Sequence, residues 1–485
     1  MLSATPSPTQ IPSAQEILAA APPVRHEPAA RERIRAANLA AGRRIAVLDD
    51  DPTGSQTVHD VSVVTVFEPA EYAAGLAEPG DTCFILTNTR SLPEDAAVHL
   101  TTTVAGQLLG LDLGASLEVI SRSDSTLRGH VLTEIAALDQ ARKSATGVGY
   151  DGVLLVPSYF EAGRFTAGDI HWATVAGRIV PVGESEFARD ATFGYAASDL
   201  RQFVAEKSGG TIAADQVHRI TLDDIRLGGP EKVAQILAGV RGGAYVVVNA
   251  TEYADLEVVV LGLQQAQAAG RSFLYRTGPS FPQVLAGLPA HPPLSLRTIW
   301  PDGHPGGHGL VVVGSHVGLT SRQVAAAQAR GGLIEHELNV PSLLDPELRD
   351  QHVAEVAGRV VQALATDDVL LFTSRVLRTG GDADDSLAIS RTVSTAVIEV
   401  VQAALAARPS WVVAKGGITS HDVAVRGLGI RRADVVGQLF PGMVSVFRPI
   451  EAAPEAVGTP YVVFAGNVGD DDTLADVVDL FTGRS

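Results

Sequence analysis

From Arg43 onward the chain alternates between short continuous apolar runs and longer amphipathic stretches. Residues 44–48, 61–67, 83–87, 117–121, 153–157, 245–249 and 272–275 have the length and apolar density of buried strands. Between them, residues 93–109, 130–142, 230–240 and 255–269 space their apolar side chains at helical intervals. Strands alternating with helices predict a largely parallel sheet covered on both faces. Residues 288–308 interrupt the pattern with prolines, glycines and histidines, a composition that suits a linker or crossing loop. The alternation then restarts, with strands at 310–313, 369–373, 411–414 and 461–464 and helices at 320–329, 346–365, 386–406 and 473–481. The expected architecture is two α/β domains, residues 43–290 and 305–485, behind a mobile extension at 1–42 with a short helix near 28–41.

Composition narrows the function classes. With 485 residues, 46% of them hydrophobic, the chain reads as a globular protein able to build two cores. Thirty-seven basic against 55 acidic residues leave a net charge of −18, which argues against nucleic acid or anionic membrane as partners. The single cysteine, Cys83, excludes an intramolecular disulfide framework and any multi-cysteine metal site, and reads as a reduced, cytoplasmic protein. No apolar run approaches the ~20 residues of a membrane span. Residues 1–23 lack the basic and apolar regions of a secretory signal. A homodimer is compatible with this composition, which does not decide the oligomeric state.

In open parallel sheets ligands gather beyond the carboxyl ends of strands, so polar clusters directly after apolar runs are the candidates. The first is Asp49-Asp50-Asp51-Pro52-Thr53-Gly54. Three adjacent carboxylates repel one another unless cations or strong donors compensate; a solvated acidic turn is the alternative reading. The second carries Arg90, a planar fork for a carboxylate that equally suits a surface ion pair. The third, Ser121 to His130, gathers Ser123, Asp124, Ser125, Thr126 and two arginines before a helix, more polar groups than capping needs. The fourth is the loop from Pro157 to Thr166, with Arg164.

The C-terminal half offers different chemistry. Val313-Gly314-Ser315-His316 and Lys415-Gly416-Gly417-Ile418-Thr419 are small-residue turns between a strand and a helix, able to present backbone N–H groups to phosphate or simply to permit a tight turn. Walker-type and dinucleotide fingerprints are absent. His304 and His308 sit in a glycine–proline loop that lacks an ordering scaffold for metal. Carboxylates, hydroxyls and arginines in one half suit a small polyhydroxy acid, and glycine turns in the other suit polyphosphate. Phosphoryl transfer is the reaction that would use both.

At these residues the chain resembles the four-carbon acid sugar kinase family. The D-D-x-T-G start matches Asp50 to Gly54, D-S-T-x-[RK]-G matches Asp124 to Gly129, and P-x-x-x-x-x-G-R-x-T matches Pro157 to Thr166. Later, V-x-G-S matches Val312 to Ser315, G-G-x-T-S matches Gly416 to Ser420, and G-N-x-G matches Gly466 to Gly469. The resemblance implies an N-terminal substrate domain, a C-terminal nucleotide domain, and ATP- and Mg²⁺-dependent phosphorylation of a tetronate or 3-oxo-tetronate at its terminal hydroxyl. Carried over by position, it implies that Asp50 or Asp51, with Arg90, Ser123, Asp124, Ser125, Thr126 and Arg164, meets the sugar acid. One of Asp50, Asp51 or Asp124 would orient or deprotonate the hydroxyl, and Arg90 with Arg122 would grip the carboxylate. Ser315, Thr373, Ser374, Arg375, Gly416, Gly417 and Thr419 would meet ATP; metal ligands are not assigned. The chain departs from the family pattern at Ile418, often Glu, at Arg122, often Lys, and in the extra Asp49. Two rivals stand beside this reading. One is a haloacid-dehalogenase-like phosphatase using Asp49 and Asp51, although its distal acidic motif at Asp470 lies about 420 residues away. The other is a non-enzymatic organic-acid-binding protein.

Overall fold

The computed structural model describes residues 13–51, 54–113, 117–175, 177–375 and 383–484. The chain forms two compact units, one from Met1–Ala37 with Ser123–Gly287, the other from Asn38–Arg122 with Leu288–Ser485. Both are α/β, as the alternation predicts.

In the second unit the strand order is Ile334–Leu338, Val369–Thr373, Leu310–Val313, Val412–Lys415, Tyr461–Phe464, Met443–Glu451, Arg432–Phe440, Val61–Val64, Thr82–Leu86, Arg44–Asp49 and Leu117–Arg122. The first five are parallel, as are the last four. The hairpin Arg432–Phe440/Met443–Glu451 joins the two groups by antiparallel pairing on both sides. This hairpin is why residues 38–122 belong with the C-terminal half: Val61–Val64 pairs with Arg432–Val435. A division read along the chain does not anticipate a sheet closed by strands some 370 residues apart. Away from the edge strand Ile334–Leu338 the parallel strands are largely apolar, since helices cover both faces; Val311, Val312 and Val313 are fully buried.

The first unit has its own parallel strands, Phe273–Thr277, Gly152–Val156, Ala244–Val248 and His218–Ile220, and a small antiparallel sheet, Arg164–Ala167, Ile170–Val175 and Arg178–Pro181.

Three expectations need correction. The N-terminal extension is packed from Ser13 onward rather than mobile. The helix Ala14–Ala20 starts on a Ser13/Glu16 capping box and seats Ala14 and Ile17 against Phe165, Ile170 and Trp172. Ala30–Ala40 buries Ile34 and ties Arg31 to Glu257 at 2.6 Å. Second, the stretch at 288–308 is no free linker: Leu294 and Ile299 enter the core of the second unit, and His304 bonds the Phe481 carbonyl at 3.1 Å. Third, one stretch, Ala388–Ala407, is long and apolar enough to cross a membrane by length and composition alone; within the unit it buries Ala396, Val397, Ile398, Val400 and Val401.

Candidate functional site

The acidic turn belongs to the second unit, and its three aspartates are not equivalent. Asp49 ends its strand with no exposed surface. Its Oδ1 accepts from Arg122 Nη1 at 2.7 Å and from the Asp51 amide at 3.1 Å. Burial pushes its carboxyl up to about 6, against the pull of Arg122. Burial would depress the Arg122 guanidinium, but Asp49, Asp50 and Asp51 together hold it above its ordinary value. Gly54 closes over this pair so tightly that any Cβ there would strike both the Asp49 carboxylate and Arg122. Asp50 is 3% exposed, whereas the Asp51 side chain is 30% exposed. Pro52 and Thr53, part of the motif, lie outside the described residues.

Arg90, expected to grip a substrate carboxylate, is turned onto this turn instead: its Nη2 lies 3.1 Å from Asp50 Oδ1 and 2.6 Å from Asp51 Oδ2. A short helical turn, Thr89–Ser91, after the strand Thr82–Leu86 delivers it there, with Asn88 in the left-handed region at φ 50°. Both arginines assigned to the ligand are thus engaged by the protein's own carboxylates, the nearest anions available.

The third and fourth clusters come together in the first unit. Asp124 accepts from the Thr126 hydroxyl and from Arg128 Nε at 2.7 Å. Ser125 Oγ accepts from Arg164 Nη1 at 2.7 Å. The Ser123 amide donates to the Thr277 carbonyl at 2.8 Å. Two residues that sequence reasoning missed complete the network. Tyr195 donates its hydroxyl to the Thr126 carbonyl at 2.5 Å, and His171 Nε2 lies 2.8 Å from the Ser125 carbonyl. Burial takes His171 down to about 4, so it is neutral. A carbonyl only accepts, so Nε2 carries the proton and Nδ1 accepts from Thr166 Oγ1 at 3.0 Å. The isolated His171 and Tyr195 carry no motif that would have singled them out.

The second unit also holds a pocket of about 430 Å³. Gly314, Ser315, His316, Gly416, Gly417, Ile418 and Thr419 form one wall, so the two small-residue turns do converge. Gly416 sits at φ 124°, and a Cβ there would lie 2.9 Å from the Ser315 Cβ, so the close approach requires glycine. Val340, Ile389, Val393, Val397 and Val423 make an apolar wall. Sequence reasoning missed this wall, because Ile389, Val393 and Val397 read as an ordinary helix face. Of the strand-end residues assigned to ATP, none lines the pocket. Thr373 is fully buried. Ser374 donates to Glu337 Oε1 at 2.5 Å and accepts from the Val340 amide at 3.0 Å, so it supports the wall from behind. Arg375 Nη2 braces the Ser315 carbonyl at 2.6 Å and Ser321 Oγ at 2.8 Å, while its Nε and Nη1 are buried without a hydrogen-bond partner among the described residues. His421, also missed, lies on the helix Gly417–Asp422; burial depresses it, while Asp422 and Asp51 pull the other way. The charge of the acidic turn is therefore felt at the helix that lines the pocket.

Residues 45–285 match the model of a sugar-binding N-terminal domain, and residues 310–474 that of a nucleotide-binding C-terminal domain. The chain belongs to the four-carbon acid sugar kinase family. It is similar to the D-erythronate kinase of Heliobacterium modesticaldum, 23% identical over 457 residues that cover 90% of this chain and 96% of that protein. Its fold is that of a Salmonella typhimurium protein described as a putative tRNA synthase, with a TM-score of 0.67 at 18% identity over 90% of this chain and 98% of the other. A Haemophilus influenzae protein of the DUF1537 family overlays with a TM-score of 0.63 at 18% identity, over 90% and 100% of the two chains. Every residue of the pocket falls within the nucleotide-binding match. The phosphatase alternative loses its nucleophile, because Asp49 is sealed from solvent and bound to Arg122. Among the described residues no group of three or more His, Cys, Asp or Glu is arranged to hold a metal.

Proposed function

We propose that this kinase transfers the γ-phosphoryl group of ATP to the terminal hydroxyl of a four-carbon sugar acid, a tetronate or 3-oxo-tetronate, giving the 4-phosphate. The observation that carries the reading is the pocket where two glycine turns face an apolar wall, at a volume suited to a nucleotide. The apolar side chains suit a base, and the turns at Ser315 and at Gly416, Gly417 and Thr419 suit the phosphates. Asp51 is the most exposed carboxylate of its turn and the one coupled to the pocket helix through His421, so it is the residue we assign to orient or deprotonate the acceptor hydroxyl. Asp50 and Arg90 hold it in place. Ser123, Asp124, Ser125, Thr126 and Arg164 are assigned to the sugar acid. Mg²⁺, when bound with the nucleotide phosphates, would supply charge neutralisation on the transferring phosphoryl group.

The test is a coupled ADP-release screen with Mg²⁺-ATP over tetronates, 3-oxo-tetronates and related aldonates. Acid-dependent ADP formation with one four-carbon acid is expected. A screen in which ADP appears at the same rate with and without every acid would overturn the assignment.

A further inference from the structure

The strand Val412–Lys415 runs beside Tyr461–Phe464 and ends on a lysine with no exposed surface. Lys415 Nζ donates to the Ala465 carbonyl at 2.7 Å and to the Val468 carbonyl at 3.4 Å, and lies 3.6 Å from the centroid of the Phe464 ring. No described carboxylate is within salt-bridge reach. Burying an ammonium without a counter-anion is costly, and a protein usually pairs it or loses it. The acids that follow the 465–468 loop and close the helix after Lys415 are engaged elsewhere: Asp470 with Thr473 at 2.7 Å, Asp471 with Arg322 at 2.8 Å, and Asp422 with the Ser394 hydroxyl. The remaining titratable groups on the surrounding turns, His316 and His421, bring no negative charge.

The surroundings point towards the pocket. The residue after Lys415 is Gly416, and the loop it holds is pinned from the other side by Thr320 Oγ1 on the Gly466 carbonyl at 2.9 Å and Gln323 Nε2 on the Val468 carbonyl at 3.1 Å. Gly466 in turn crowds Ser315: a Cβ on it would lie 2.8 Å from Ser315 Oγ. Ser315 and Gly416 both line the pocket.

We propose that Lys415 is a positioning residue for the nucleotide: it holds the 465–468 loop against Ser315 and supplies, from beneath the glycine turns, the positive charge that the polyphosphate neutralises. This rests on the reading of the pocket as a nucleotide site. The bound polyanion takes the place of the missing protein anion. In the ligand-free protein burial lowers the ammonium to about 7, so a share of the molecules carry a neutral amine near neutral pH. A polyphosphate favours the charged form, so binding draws a proton onto Nζ, and by linkage the proton strengthens binding by the same factor.

Isothermal titration calorimetry of the whole chain at pH 8, in two buffers of different ionisation enthalpy, measures both effects. With Mg²⁺-ATP the wild type is expected to take up most of one proton, and with adenosine none. Lys415→Met is expected to bind Mg²⁺-ATP about ten- to a hundredfold more weakly, with that uptake lost, and to bind adenosine unchanged. A purely structural role would weaken both ligands alike and leave proton uptake in place. Tight binding of Mg²⁺-ATP by the wild type without proton uptake overturns the role of Lys415 while the pocket assignment stands. That measurement needs no variant, so it decides even where Lys415→Met fails to fold. Absence of any nucleotide binding by the wild type overturns both.

Discussion

At the end of the strand Arg44–Asp49 a carboxylate is sealed from solvent with a guanidinium 2.7 Å away; at the end of Val412–Lys415 an ammonium is sealed with only carbonyls and a phenyl ring around it. Both are last residues of parallel strands in the same unit, and neither has exposed surface. The first charge is answered inside the protein and becomes part of the scaffold that aims Asp50 and Asp51. The second is answered only by dipoles, which leaves it to lose its proton or to meet an ion of opposite sign from outside. Burial alone therefore does not separate a structural charge from a binding one; the presence of an internal counter-ion does.

The largest expected effect lies beside the scaffold rather than in it. Asp51→Asn should lower turnover by about 10²–10⁴-fold in the coupled assay, with an unfolding midpoint close to wild type. A normal rate would remove Asp51 from the chemistry. Asp49→Ala should act the other way round, costing about 3–5 kcal/mol in urea unfolding because it strands a buried guanidinium. A loss below about 1 kcal/mol would mean that Arg122 finds another partner.

The pH dependence of stability gives the two buried charges opposite slopes. Lys415 titrates at about 7 when folded against the ordinary 10.5, so the unfolded chain binds the extra proton between these values and its contribution to stability rises with pH across that window. Asp49 titrates at about 6 when folded against 3.8, so the folded chain binds the extra proton and its contribution falls as pH rises from 3.8 to 6. The urea midpoint of wild type should therefore rise relative to that of Lys415→Met between pH 7 and 10, with the difference least favourable to wild type at pH 7. Parallel curves would show that Lys415 keeps its ordinary proton affinity. The smallest effect is expected at Ile418, which is 76% exposed on the pocket rim. Ile418→Glu should move the KM for ATP within about threefold.

Legibility in the sequence followed burial on both faces. The strands Leu310–Val313, Val369–Thr373 and Tyr461–Phe464 are continuous apolar runs, and their bounds are as expected. The hairpin Arg432–Glu451 was not foreseen, because its strands mix charge with apolar residues and shift register at Gly437. The edge strand Ile334–Leu338 escaped for a related reason: four of its five residues are at least partly exposed, two of them glutamates. In the candidate site, Ser315, Gly416, Gly417 and Thr419 were visible as small polar residues directly after apolar runs. Lys415 was passed over as the tail of such a run, and the apolar wall of the pocket has the spacing of any core helix.

The chain's own order of residues determined the alternation of strands and helices, the strand tips that carry chemistry, and through its motifs the family. Those features are local: a few neighbouring side chains set backbone preference and hydropathy. Tertiary structure decided which of three adjacent aspartates faces solvent, that Arg90 and Arg122 turn inward, which unit residues 38–122 join, and that Lys415 meets no anion among the described residues. Each of these depends on what stands across a gap of tens to hundreds of residues, and charge, unlike periodicity, takes its meaning from its nearest partner in space.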